Sequence, residues 1–349
     1  MNGDVVFGLR PSASSSVSFT EKPRPKNKEQ RPVLMPNLIS KLVEPWYPAT
    51  AIGLEKGSAS VVHLERAGGN ACTLRRAATF SIAESLIQPS FDDANIEKPA
   101  QLADILSEMA TSAGLLRQKR WSVSLPEATT RTLVLTLESP AQSASELQEV
   151  LTWKMERGFG ISLPELSISR ERLRKDPQGR DRYLAVAIKK TVLAEYESVL
   201  RSLGWRAGLI LPRHLGEGQW LVRNGSHGDA LLLSGSSTGF TAVIFRNKNP
   251  LIVRTVSCSE DERDDEFYRL LLFYRDRRKA DAQGDSGNLS RLMVIGEGLT
   301  KERVSEIVNE TTGGDLRPLE ADDLGLHLPG RDLSFDAIAA PAGLATLSF

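Results

Sequence analysis

The sequence predicts a mixed α/β (α+β) protein of two lobes, the first of which carries an inserted β-β-α-β-β module. Three observations lead to that expectation. Short runs rich in Val, Ile, Leu and Thr, bounded by Gly, Asn and Asp clusters, arrive as strand meanders, and each meander precedes a segment of helical period. The pattern occurs twice, once from Thr50 and again from Asp229. The 349 residues suffice for about two domains of ~150 residues each.

Residues 1–34 are rich in Ser, Pro and Lys, with too few large apolar groups to offset the entropy of ordering, so a disordered tail is expected. Residues 35–49 form a short amphipathic strap carrying Leu38, Ile39, Leu42, Val43 and Trp46. The first lobe, 50–120, opens with strands in TAIGLEKG and SASVVHLERA. The turn AGGN and the strand CTLRRAATFSI follow. Leu102, Ile105, Leu106, Met109 and Leu115 then fall at helical spacing behind Pro99, a residue suited to a first helical turn.

The module is expected over 121–190. WSVSLPE and TRTLVLTL read as strands, and SASELQEVLTWKMERGF reads as a helix with Ser145 as N-cap. ELSISRERLRK and RYLAVAIKK are strands joined by the turn DPQGR. Residues 191–227 return to the first lobe through a helix ending at Gly204 and the strand in WRAGLILPRHL. The second, reduced lobe covers 228–334. It holds three strands (DALLLSG, GFTAVIF, PLIVRTVS), the helix DEFYRLLLFYRDRR, the strand RLMVIGEG and the helix TKERVSEIVNE. Residues 335–349 form a small-residue helix expected to close on the first lobe.

Composition narrows the function. Lys+Arg and Asp+Glu both number 44, so the formal charge is zero and the surplus of cations that a nucleic-acid binder needs is absent. Cys72 and Cys258 lie far apart with no metal-ligand spacing, which predicts two buried free thiols in a reducing compartment. His63, His214, His227 and His327 are scattered and read as ordinary surface or core histidines. No apolar run is long enough to span a membrane and residues 1–10 lack a secretory pattern, so a cytoplasmic protein is expected. Arg275, Arg277, Arg278 and Lys279 form a basic last turn that suits the helix dipole.

An internal echo supplies the candidate site. In the first half Glu55, Gly57, Ser58 and Ser60 form a Gly-Ser turn between strands; in the second, Gly235, Ser236, Ser237 and Thr238 do the same. Gly296, Glu297 and Gly298 make a third glycine turn farther on. Backbone N–H groups and hydroxyls in such turns can cradle phosphates.

These turns, the order WSVSLPE, TRTLVLTL and ELQEVLTWKMERGFGISLPEL, and the closing AAPAGLA resemble the type IV pilus assembly protein PilM family. The resemblance implies a two-lobed actin-like ATPase fold over roughly residues 50–347, in which the two Gly-Ser turns are phosphate loops and the third turn lies on the adenosine side. It also implies a platform component of a type IV pilus or type II secretion system. Such a component binds the cytoplasmic tail of a PilN-like inner-membrane protein between the first lobe and the module, with Trp153 and Phe159 as candidate contacts.

The departures are chemical. The family's first loop reads Asp-x-Gly, where this chain has Glu55; the second begins with Asp, where the motif places Leu233. A carboxylate there helps hold a Mg²⁺ shell and leucine cannot. The preferred reading is therefore a scaffold with a degenerate nucleotide site, requiring neither ATP nor Mg²⁺. The alternative is an ATPase that switches its partner by nucleotide state, with Glu55 in place of Asp and the loop hydroxyls on phosphate. A kinase on the same fold would need a catalytic base, and no motif supplies one.

Overall fold

The structure, a computed structural model, describes residues 47–225, 228–280, 288–330 and 333–349. The tail, most of the strap and His227 lie outside the described residues.

The first lobe begins with β1 (Thr50–Glu55), β2 (Ser58–Gly68) and β3 (Ala71–Ser81), an antiparallel meander, followed by α1 (Pro99–Ser112) and β4 (Arg120–Leu125). The module follows as β5 (Arg131–Thr136), α2 (Ala144–Phe159), β6 (Leu166–Leu173) and β7 (Arg182–Lys189). The chain returns through α3 (Lys190–Ser202), β8 (Arg206–Pro212) and α4 (Arg213–Arg223). The second lobe comprises β9 (Asp229–Ser236), β10 (Gly239–Arg246), β11 (Asn249–Ser257), α5 (Arg263–Ala280), β12 (Leu289–Gly296) and α6 (Lys301–Thr312). The short β13 (Leu326–His327) rejoins the first sheet before α7 (Phe335–Ala345).

The strands form sheets ordered β13-β3-β2-β1-β4-β8, β11-β10-β9-β12 and β5-β7-β6. This corrects the module. β4 pairs parallel with both β1 and β8, so it belongs to the first lobe, and the module is β-α-β-β. The reason is burial: Trp121, Val123 and Leu125 are fully buried in the first-lobe core, a central position between two parallel neighbours that local patterning does not reveal.

The helix of the module is capped by Ser143 rather than Ser145. Its hydroxyl accepts from the Glu146 amide at 3.1 Å, while Glu146 reaches back to the Gln142 amide at 2.6 Å. Module residues Leu151, Met155, Phe159, Tyr183 and Ala185 enclose a small core of their own with Phe91 of the first lobe. Of the two cysteines Cys72 is buried, but Cys258, just beyond β11, is only partly so.

Two helices link the lobes. α4 and α7 cross at glycine: a Cβ on Gly216 would collide with the Ala340 carbonyl, and one on Gly343 with the Gly216 carbonyl. Trp220, fully buried, donates its indole N–H to the Ala339 carbonyl at 2.8 Å across the same crossing. The missing side chains let the two backbones touch, which places the start of α4 and of α7 at the floor of the cleft between the lobes.

Candidate functional site

The turn between β1 and β2 faces the turn between β9 and β10 across this cleft. A cavity of about 320 Å³ lies between them, lined by Glu55, Ser58, Ser60, Gly235, Ser236 and Ser237, with Gly296 and Glu297 beside them. Most of the residues expected to form a site therefore converge. Gly57 sits at the turn tip with φ +80 and Thr238 faces a neighbouring groove instead. Gly298 is covered: a Cβ there would run into the guanidinium of Arg263. Arg263 is buried and donates to the carbonyls of Ser236 and Ser237, both at 2.9 Å.

Leu233 is not the position that matters. The hairpin registers match Glu55↔Ser58 in the first lobe with Ser236↔Gly239 in the second, so Ser236 stands where Glu55 stands. Leu233 points away from the cleft, into the second-lobe core with Phe240, Phe267 and Leu271. The motif count failed because the second hairpin turns later than the first, and strand parity then puts Leu233 on the opposite face.

Sequence reasoning missed the charged residues that fill the cleft floor. Arg213, at the start of α4, lies 3.4 Å from Glu55 and 2.9 Å from Glu217. Its charge is reinforced by these carboxylates against the burial that opposes it. Glu217 is fully buried, one turn along the same helix. Beside them His214 is fully buried and shares a 2.7 Å hydrogen bond with Glu127, two residues beyond the end of β4. Burial pushes the Glu55 carboxyl up to about 7, with Glu217 and Glu127 adding to the effect against Arg213. Burial also opposes charge on Glu127, yet His214 beside it holds that carboxyl below its ordinary value. Asp336, at the start of α7, is raised by burial. Arg213 and Glu217 stand four apart on one helix, an ordinary surface spacing in sequence that only the tertiary structure buries.

Arg213 is already shared between Glu55 and Glu217, so phosphate oxygens entering the cleft would compete with both carboxylates for its guanidinium. Lys56, which also lines the cavity, is paired with Glu84 at 2.9 Å. The glycines have a structural explanation as well. A Cβ on Gly235 would strike the Glu297 carbonyl, and one on Gly296 the Gly235 carbonyl, so both are required where β9 and β12 run side by side. Among the described residues no group of His, Cys, Asp or Glu forms a metal site.

A second feature opens next to this cleft. A groove of about 1060 Å³ runs between the first lobe, the module and the second lobe, lined by Phe91, Glu127, Arg131, Leu133, Val253 and Thr255 among others. Among the described residues β5 pairs only with β7 and β11 only with β10, so each brings a sheet edge to the lining, and the two strands approach each other along part of their length. The loop forming its rim is tied down from below. Glu195 accepts from the amides of Asn95 and Ile96 at 2.8 and 2.9 Å, and the Asn95 side chain accepts from Thr129 and Tyr196, both at 3.1 Å. Trp153 and Phe159 do not line this groove. Phe159 is buried in the module core, and Trp153 is 55% exposed on the outer face of α2.

No protein-family model matches the sequence, and no curated protein matches it. Among solved structures, a chain of a PilM–PilN type IV pilus biogenesis complex aligns over 87% of this chain and 98% of its own, at 16% identity and a TM-score of 0.61. A Bacteroides thetaiotaomicron protein with an actin-like ATPase fold and unknown function aligns over 84% and 95%, at 11% identity and a TM-score of 0.45. The cytoplasmic domain of EpsL, an inner-membrane component of the Vibrio cholerae type II secretion system, aligns over 86% and 95%, at 11% identity and a TM-score of 0.44. The chain shares its fold with that chain of the PilM–PilN complex. Among the described residues, no helix is long and apolar enough to cross a membrane.

Proposed function

We propose that this protein is a cytoplasmic scaffold of a type IV pilus or type II secretion inner-membrane platform, binding the cytoplasmic tail of a PilN-like membrane protein and carrying a degenerate nucleotide site. The observation that carries the reading is the groove whose lining includes two sheet edges. An extended tail entering it can continue either sheet by strand addition: main-chain hydrogen bonds supply affinity, and alternate side chains reach the apolar lining at Phe91, Leu133 and Val253. The neighbouring cleft supports the second half of the reading, because its cations Arg213 and Lys56 are both paired with the protein's own carboxylates. Membrane association then comes through the bound partner.

The experiment is a titration of the purified protein with a synthetic PilN-like tail peptide and, separately, with Mg-ATP. Saturable peptide binding, weakened at least tenfold by Thr255→Arg at the groove wall, together with no heat from ATP, is the expected result. Peptide binding that survives Thr255→Arg unchanged removes the groove from the proposal. Mg²⁺-dependent ATP turnover by the purified protein removes the scaffold reading in favour of a nucleotide-switched ATPase.

A further inference from the structure

The chain is neutral overall, yet its cations are not evenly spread. The β6–β7 hairpin ends in Arg174, Lys175 and Arg180, and its far strand begins at Arg182. Arg182 is buried and reaches into the second lobe, donating to the carbonyls of Pro250 and Leu251 at 3.1 and 2.8 Å. That contact fixes the hairpin against the β10–β11 turn, where Lys248 is exposed; α5, whose last turns carry Arg277 and Arg278, meets the same end of the sheet through Tyr274, which donates to Asp229 at 2.7 Å beside Arg246. Burial, with the like charges of Arg277 and Arg246 nearby, pulls Arg182 below its ordinary value.

Part of this charge is used internally. Asp176 is paired with Arg180 at 2.6 Å, Asp181 with Arg172 at 2.5 Å, and Asp229 with Arg246 at 2.7 Å. Arg174 and Arg277 have no ion-pair partner among the described residues. Phe273 lies one helical turn before Arg277 on the same face of α5 and is 50% exposed. An exposed aromatic ring next to unpaired arginines is the side-chain pairing that settles at a lipid headgroup boundary, where the ring enters the acyl edge and guanidinium groups meet phosphates.

We propose that the surface formed by the β6–β7 hairpin tip and the C-terminal half of α5 is a contact for an anionic membrane, with Arg174 and Arg277 on headgroup phosphates and Phe273 at the acyl boundary. The surface is separate from the groove and the cleft, so it does not depend on peptide or nucleotide binding. A basic residue near such a membrane is worth about a fivefold change in partitioning.

The test is co-sedimentation of the full chain with vesicles of phosphatidylcholine alone and of phosphatidylcholine mixed with phosphatidylglycerol, at low and high salt. Binding is expected only to the mixed vesicles, with release at high salt. The Arg174→Ser/Arg277→Ser double variant should partition about twentyfold less strongly, and Phe273→Ser should weaken binding without altering its salt dependence. Both variants should melt like the parent, since none of the three side chains is buried. Failure of the parent to sediment with the mixed vesicles overturns the proposal, as does equal sedimentation of the double variant. Binding of an acidic peptide or a short RNA by the parent without vesicle binding also overturns it, by showing that the patch serves another polyanion.

Discussion

Arg213 lies 3.4 Å from Glu55 and 2.9 Å from Glu217, so one guanidinium joins the end of β1 to the first turns of α4 at the floor of the cleft. The ion pairs occupy the place where the resemblance to nucleotide-binding folds leads one to expect phosphate. Their energetic consequences can be measured without any ligand.

The first concerns pH. Glu55 has a folded value of about 7 against an ordinary value of 4.5, so the folded protein holds its proton more tightly than the unfolded chain does. The contribution is fully present below about pH 4.5 and is lost as pH rises through about 7. Glu55→Gln should flatten the fall in melting temperature across that window and match or exceed the parent above it. Thermal melts at several pH values check this; parallel curves for the two proteins would show that Glu55 does not titrate there.

Glu127 and His214 behave in the opposite sense. Because His214 holds Glu127 below its ordinary value, that contribution is present at neutral pH and is lost as pH falls through the folded value. His214→Ala leaves a buried carboxylate without its partner and should cost about 3–5 kcal/mol, read by urea titration. Adding Glu127→Gln to that variant should recover part of the loss. Additive losses would mean that the two residues act independently.

Arg263 ties both Ser236 and Ser237 carbonyls while covering Gly298. Arg263→Met keeps the volume but leaves these carbonyls unpaired, and should destabilise the protein by about 1–3 kcal/mol in urea titration. It should not create ATP binding, because Arg213 stays shared between Glu55 and Glu217. Calorimetry with Mg-ATP on the same variant checks the second point.

The crossing of α4 and α7 tolerates no side chain. Gly216→Ala would ordinarily favour a helix by about 1 kcal/mol, but here the added methyl meets the Ala340 carbonyl. A net loss of about 1–3 kcal/mol is expected. A stabilised variant would mean that the lobes separate readily at this point.

The sequence by itself determined the order and type of most elements, since alternation, helical spacing and turn residues act over a few neighbours. Gly204 stops α3 with φ +66, and Asn247 and Lys248 form the β10–β11 turn as the RNKN segment predicts. It also brought the two Gly-Ser turns into view as a pair, and the structure places them across one cavity. Tertiary structure alone decided which sheet takes β4, because a central strand is chosen by its neighbours and by the burial they offer rather than by its own pattern. Only the hairpin register set Ser236, and not Leu233, opposite Glu55. The same holds for the cleft floor. Glu127, His214 and Arg213 are ordinary residues in sequence, and their chemistry arises because the fold brings His214, 87 positions along the chain, to within 2.7 Å of Glu127, away from bulk water. Desolvation and Coulombic attraction act through space, and so neither leaves a mark in the local pattern.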